Sequence, residues 1–218
     1  MSTSTKQEKK KLRVAVIGYT GTIGKAVIKE LETMTGVEII TAGRSSGDFR
    51  VDIQDTKSIA AFYKAAKQLD AVMCCTGKGY FGGLADCTKE NLEVGWQNKL
   101  GGQMDLVLQG MHVLQDGGVF ILTTGFLSST PVRGLIGLSV VNAAVDAFVR
   151  TAPIELPRGL RINSVSPGFV TESAYSESIR QGLGEVSAKR VAKVYRRALV
   201  SGVTGKNMEI TASGSTEK

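Results

Sequence analysis

Near the start of the chain a strand-like run meets a helix-like run across a glycine-spaced turn, and few folds accommodate that junction. LRVAVIG (Leu12–Gly18) is continuously β-prone and apolar, while TIGKAVIKELETM (Thr22–Met34) has its apolar residues at helical spacing. Between them runs Gly18-Tyr19-Thr20-Gly21-Thr22-Ile23-Gly24, a GxxGxxG pattern. A strand apolar on both faces must be covered on both faces, and a strand passing at once into a helix opens a βα unit. Glycine suits the turn because the chain must bend sharply and leave bare backbone for a close neighbour. The helix N-terminus beyond it offers unpaired N–H groups and a positive dipole end, which together favour a phosphate.

The alternation continues along the chain. Strands are expected at Val37–Gly43, Phe49–Ile53, Ala71–Gly77, Val119–Thr124, Arg161–Pro167 and Asn207–Thr211. Helices are expected at Thr56–Gln68, Val94–Leu114, Gly137–Leu156 (stopped by Pro157) and Ser187–Ser201. The pattern predicts an α/β fold, a Rossmann-like doubly wound parallel sheet of about seven strands with helices on both faces. A single domain should cover residues 12–213, between a disordered basic tail at 1–11 and a short tail at 214–218.

Charge and cysteine usage narrow the function. The formal net charge is +7, but Lys6, Lys9, Lys10 and Lys11 crowd the first residues, and no basic stripe interleaved with aromatics follows. A solvated tail, with no nucleic-acid partner, is the simpler reading. Cys74, Cys75 and Cys87 make no disulfide framework, which fits a reducing, cytoplasmic setting. His112 is the only histidine and has no ligand-spaced cysteines around it, so no metal site is expected. No apolar run approaches the ~18 residues of a membrane span.

The glycine turn after a buried strand predicts dinucleotide binding, and the end of the second strand addresses which dinucleotide. An NAD site places a carboxylate there for the ribose hydroxyls, whereas an NADP site places arginine. The chain reads Thr41-Ala42-Gly43-Arg44-Ser45-Ser46, with no carboxylate before Asp48. Arg44 offers a fork of donors to a 2′-phosphate and the serine hydroxyls can add to it, so NADP(H) is favoured over NAD(H).

With these motifs in order, the chain resembles the short-chain dehydrogenase/reductase superfamily. The resemblance rests on Gly18, Gly21 and Gly24, on Asp52 in VDI, on CCTG (Cys74–Gly77), on Asn98 in WQNKLGG and on Pro167-Gly168. The run VNAAVDAFVRTAPIELPRGLRINSVSPG carries it most strongly. It implies a cofactor site formed by Gly18, Tyr19, Thr20, Gly21, Thr22, Ile23, Gly24, Arg44, Ser45, Asp52, Ile53, Thr76, Gly77, Asn142, Pro167 and Gly168. It also implies a catalytic set of Asn98, a hydroxyl at Thr123 or Thr124 (or none, if Gly125 holds that position), and the helix containing GLSVVNAAVDAF. There the family has Tyr-x-x-x-Lys, and aligning Ala143-Ala144-Val145-Asp146 puts Leu138 at the Tyr and Asn142 at the Lys. The pattern is similar to a short, atypical subgroup with partly degenerate active sites. A small substrate lid is expected around 169–184, with Tyr175 in it.

Leucine cannot pass a proton, and losing a positioned acid usually costs roughly 10²–10⁴-fold in rate. Tyr80, Tyr175, Ser128 and Ser129 are candidate replacements, each more simply an ordinary loop residue; Lys78 and Lys99 could also fall near the site, with a solvated lysine the simpler reading for both. Three functions follow. The first is an NADP(H)-dependent oxidoreductase acting on a small carbonyl or alcohol. The second is a non-catalytic dinucleotide-binding sensor or partner subunit, and the third a pocket repurposed for a non-redox reaction. By family analogy the two long helices are expected to form a homodimer or homotetramer interface.

Overall fold

The structure, a computed structural model, describes residues 11–173, 185–212 and 214–217. Its strands are β1 (Leu12–Ile17), β2 (Val37–Gly43), β3 (Phe49–Arg50), β4 (Ala71–Cys74), β5 (Val119–Thr123), β6 (Arg161–Pro167), β7 (Phe169–Val170), β8 (Glu185–Val186), β9 (Lys206–Thr211) and β10 (Gly214–Glu217). The helices are α1 (Thr22–Leu31), α2 (Thr56–Ala66), α3 (Lys89–Gly95), α4 (Gly102–Gly110), α5 (Ile136–Thr151) and α6 (Ala188–Val200).

The main sheet has eight strands in the order β10-β9-β6-β5-β4-β1-β2-β3. Every neighbouring pair is parallel except β10 on β9. The seven expected strands are all present. The sequence reading ended the domain at 213, yet Gly214–Glu217 adds an antiparallel edge. That edge was invisible because GSTE has no apolar alternation. β7 and β8 form a separate parallel pair.

Strand order reverses at β1, whose neighbours are β4 and β2, and a crevice opens beyond the strand ends at such a point. Alternation along β1 feeds two cores. Ala15 and Ile17 pack with Ile59, Phe62, Leu106 and Val145, on the side of α2, α4 and α5. Val14 and Val16 pack with Val27, Leu31, Val191 and Tyr195, on the side of α1 and α6.

Two helix expectations need correction. The long helix over Val94–Leu114 is broken: α3, opened by a Thr88/Asn91 capping box, passes into a π-helical turn at Trp96–Gly101 before α4. Gly102 allows the close approach there, since a Cβ on it would sit 2.7 Å from the Ile53 carbonyl oxygen. The π turn swings Asn98 and Lys99 toward the crevice. The second correction is at α5, which ends at Thr151 and tightens into a 3₁₀ turn over Ala152–Ile154. Pro153 has no N–H to continue the i→i−4 ladder, so the stop comes earlier than Pro157.

Candidate active site

The glycine turn is a cradle with no room for side chains. Gly18 has φ +79°, and a Cβ there would lie 2.7 Å from Thr76 Cβ. A Cβ on Gly24 would lie 2.3 Å from the Gly18 carbonyl oxygen and 2.7 Å from Tyr19 Cα. Gly21 caps α1 with no side-chain bond to the helix N-terminus, and the first turn carries no acidic residue. The N–H groups and positive dipole end are therefore left for an anion, and the cradle fits a pyrophosphate.

On one side of the cradle lies a cavity of about 230 Å³, lined by Gly18, Thr20, Arg44, Ser45, Ser46, Asp52, Ile53, Thr76, Lys78 and Asn98. Arg44 is exposed at the end of β2. Asp48 is turned away from the role its position could suggest: its carboxylate accepts from the Thr41 N–H and hydroxyl, both at 2.8 Å. Those bonds hold it below its ordinary pKa. The Tyr19 ring serves this turn from below, since a Cβ on Gly47 would lie 3.0 Å from its Cε1. Asn98 Oδ1 accepts from the Lys78 N–H at 2.6 Å and so braces the loop after Gly77.

Thr76 also lines a second, inner cavity of about 150 Å³ at the ends of β4, β5 and β6. Ile23, Gly77, Lys99, Thr123, Thr124, Gly125, Leu138, Asn142, Pro167 and Gly168 line it as well, with Phe126, Leu127 and Phe169 as apolar wall. Gly168 is fixed by its N–H bond to Ile210 at 2.8 Å. Of the expected cofactor residues, Gly21 and Thr22 border instead a groove between α1 and α6 that Thr20 also lines, while Tyr19 and Gly24 line neither cavity.

Of the two candidate hydroxyls, that of Thr123 is already engaged, while Thr124 Oγ1 is buried with no hydrogen-bond partner among the described residues. Thr123 Oγ1 bonds the Cys74 carbonyl oxygen and the Tyr195 phenol inside the core. The Thr124 hydroxyl lies beside the Asp146 carboxyl. Burial raises that carboxyl above its ordinary pKa, while the Ser128, Thr124 and Ser164 hydroxyls pull it down. Asp146 also accepts from Ser164 Oγ at 3.0 Å and Asn207 Nδ2 at 2.9 Å. Gly125 follows, and a Cβ there would lie 2.9 Å from Asn142 Nδ2. Asn142 is 2 % exposed, and its Oδ1 has no hydrogen-bond partner among the described residues.

The expectation of a solvated Lys99 is wrong. It is 6 % exposed, its stem packs on Gly77, and among the described residues its ammonium makes one hydrogen bond, to the Thr124 carbonyl oxygen at 3.1 Å. Burial brings its pKa down to about 8, against the opposing pull of Asp146 and Cys74.

Comparison with known proteins agrees with this layout. A family model described as "Enoyl-(Acyl carrier protein) reductase" matches residues 6–208. The chain belongs to this family, within the short-chain dehydrogenase/reductase superfamily. It is 39% identical to the protein lin1944 from Listeria innocua, with TM-score 0.88, covering 91% of this chain and 99% of that one. A small-chain dehydrogenase solved in complex with NADPH is 24% identical, with TM-score 0.82 and coverage of 93% and 97%; at that identity the likeness is one of fold. Versicolorin reductase 1 of Dothistroma septosporum is 26% identical over 174 residues, which is 76% of this chain but 63% of that protein. The match thus spans under two thirds of that relative.

As a short-chain dehydrogenase/reductase the chain is of an oxidoreductase family, yet Tyr80, Ser128 and Ser129 do not line its inner cavity. The Tyr80 hydroxyl donates to the Asp86 carbonyl oxygen at 3.3 Å, within its own loop. Ser129 Oγ bonds the Phe126 carbonyl oxygen and Glu209. Tyr175 and most of the expected lid lie outside the described residues. Cys75 lines the cavity, but burial pushes its thiol pKa far up. Sequence reasoning weighed Lys99 near the site but took it as solvated, and it used Asp146 only to align the helix. One signal was available: Lys99 and Gln103 stand four apart, on one helix face, and both prove buried.

Proposed function

We propose that this protein is an atypical NADP(H)-dependent oxidoreductase of the short-chain dehydrogenase/reductase type, reducing a small carbonyl or oxidising the corresponding alcohol. The observation that supports this most is the continuity of the site. The side-chain-free cradle at Gly18 and Gly24 leads on one side to Arg44 and on the other to the inner cavity, with Thr76 common to both. Gly18, Gly21 and the α1 N-terminus would hold the pyrophosphate, and Arg44 with Ser45 a 2′-phosphate. Asp52 and Ile53 would border the adenine, and Pro167-Gly168 the nicotinamide. NADPH complexes among proteins of similar fold are in keeping with that choice.

A bound reduced nicotinamide supplies the hydride. The chain's own contribution is orientation and exclusion of water by Phe126, Leu127, Leu138 and Phe169. Carbonyl reduction also consumes a proton, and neither Gly125 nor Leu138 has one to give, so slow turnover is expected. That same deficit favours, as a second reading, a protein that binds the dinucleotide without turning it over. Homodimer or homotetramer assembly through Val94, Trp96, Leu108 and Val140, all exposed, belongs to the same proposal. So does a cytoplasmic, reducing location, which the free thiols of Cys74, Cys75 and Cys87 would suit. No helix among the described residues is long and apolar enough to cross a membrane.

The test is a titration with NADPH and NADH on the wild type and on Arg44→Ala. The expected result is NADPH binding at least tenfold tighter than NADH, with the preference lost in the variant. Equal binding of the two would refute the NADP assignment, and no binding of either would end the dinucleotide reading. NADPH oxidation over a panel of small aldehydes and ketones then separates oxidoreductase from sensor.

A further inference from the structure

Carbonyl reduction takes up a proton, and Leu138 stands where the resemblance implies the phenol that would give it. Among the described residues that line the inner cavity, only Cys75 and Lys99 carry ionisable side chains. Burial pushes the Cys75 thiol far up, and it bonds the Tyr195 phenol. Thr123 is tied into the core, and Thr124 Oγ1 is buried out of a substrate's reach. Thr76 and Ser173 are plain alcohols, too weak to act as acids near neutral pH.

Two glycine contacts seat Lys99 beside Leu138. A Cβ on Gly77 would lie 2.7 Å from Lys99 Cγ, and one on Gly79 would lie 2.6 Å from Leu138 Cδ2. The loop after β4 thus receives both side chains, Lys99 from the π turn and Leu138 from α5. Of its three N–H donors the Lys99 ammonium spends one, among the described residues, on the Thr124 carbonyl oxygen at 3.1 Å. Phe126, Leu127 and Phe169 offer a substrate nothing polar, so an entering carbonyl oxygen finds its one charged donor at Lys99.

We infer that Lys99 is the proton donor of this site, its ammonium standing in for the phenol that Leu138 cannot supply. This rests on the oxidoreductase reading above and deepens it, with the dinucleotide of that reading as the reductant. As the substrate carbonyl is reduced, its carbon gains the hydride and the C=O π pair moves onto oxygen. That oxygen takes a proton from Lys99 Nζ: an O–H bond forms, an N–H bond breaks, and the lysine is left as a neutral amine. Water at the cavity mouth returns the proton. In alcohol oxidation the neutral amine accepts the proton instead.

With its pKa brought down to about 8 by burial, Lys99 is mostly charged at neutral pH yet parts with a proton far more readily than an ordinary lysine. Asp146 on α5 and Cys74 on β4 favour its charge, and burial pushes Cys74, Cys75 and Tyr195 above it.

The probes are propanal, methylglyoxal and butane-2,3-dione with NADPH, across about pH 6–10. Wild-type kcat/KM for reduction should be flat below about pH 8 and fall about tenfold per pH unit above it. Lys99→Met should lower kcat by ~10²–10⁴-fold while calorimetry finds NADPH affinity within threefold of wild type. Lys99→Arg keeps the charge but holds its proton, so it should be as slow as Lys99→Met. A second readout needs no turnover: the ¹³Cε resonance of Lys99, identified by its loss in Lys99→Arg, is titrated in the cofactor-free protein. Its midpoint should lie near pH 8, and isobutyramide, an unreactive carbonyl compound, added with NADP⁺ should raise it.

A Lys99→Arg enzyme as fast as wild type would make the charge rather than the proton the contribution, and overturn the donor. So would wild-type turnover in Lys99→Met, or a loss there that saturating NADPH restores. A midpoint near 10.5, or one that isobutyramide leaves in place, would overturn it as well. If the wild type binds NADPH but reduces none of the probes, the oxidoreductase reading and the donor fall together and the cofactor site stands.

Discussion

Gly125 and Asn142 compete for the same space, because a Cβ on Gly125 would come within 2.9 Å of Asn142 Nδ2. The backbone at Gly125 has φ 173°, ordinary extended geometry that any residue adopts, so the obstacle is the amide alone. The resemblance implies a catalytic hydroxyl in this neighbourhood, and a side chain at Gly125 would take the room that seats Asn142. Gly125→Ser should therefore destabilise the protein by about 1–3 kcal/mol through overpacking. Urea unfolding of Gly125→Ser, Asn142→Ala and the double variant checks it. The two changes should couple, with the double variant more stable than the sum of the singles predicts. Simple additivity would show that the two positions do not share space.

Thr123 was a candidate for the catalytic hydroxyl, and its bonds to the Cys74 carbonyl oxygen and the Tyr195 phenol point to a structural tie instead. It joins the ends of β4 and β5 to α6. Thr123→Val keeps the shape and removes one hydrogen bond of the buried phenol, which retains its bond with the Cys75 thiol, so the cost should be about 0.5–1.5 kcal/mol. NADPH affinity should stay within twofold of wild type. A large loss of affinity at unchanged stability would return Thr123 to the site.

At the cradle the prediction is harsher. Gly24 meets the Gly18 carbonyl oxygen and Tyr19 Cα where a side chain would stand, and both neighbours are backbone that cannot swing aside. Gly24→Ala must push α1 off β1 and spoil the donor array at its N-terminus. Loss of NADPH protection against thermal unfolding is the readout, with a lower Tm in the absence of ligand. Gly21→Ala should be far milder, since its Cβ would meet only the Gly18 carbonyl oxygen, at 3.4 Å.

These contrasts show which parts of the molecule could be read from the sequence. Buried parallel strands announce themselves, because both faces are apolar and the runs end at glycine; β1, β4 and β5 were placed within a few residues. β10 carries no such pattern; it pairs with β9, and its Glu217 adds an ion pair with Arg197 at 3.0 Å. The cradle was legible because a glycine spacing encodes backbone geometry directly. Lys99 was not, because a lysine in a helical run is ordinarily solvated, and only the π turn aims this one inward. Asn142 was legible as a substitution, but its unused oxygen is a property of packing.

Lys99 also makes a prediction about pH. Its pKa is about 8 in the folded protein against an ordinary 10.5, with burial the main cause. The unfolded chain therefore binds the extra proton more tightly, and the charge opposes folding wherever the unfolded chain keeps it. That opposition is complete below pH 8 and is relieved as pH rises from about 8 to 10.5. Asp146 on α5 and Cys74 on β4 favour the charge and are already included in the net depression. Cys75 and Tyr195, nearby on the α6 side, have pKa values pushed well up by burial, and Cys74 sits at about 11, so none of the three titrates first. Lys99→Met should accordingly be the more stable protein at pH 7, by on the order of 3 kcal/mol at most. Loss of the Asp146 attraction trims that gain. The gap in Tm between variant and wild type should narrow steadily from pH 8 to pH 10.5. A gap that stays constant over that range would mean that the Lys99 ammonium is as well solvated in the folded protein as in the unfolded chain. In that case its place in the cavity costs the fold nothing.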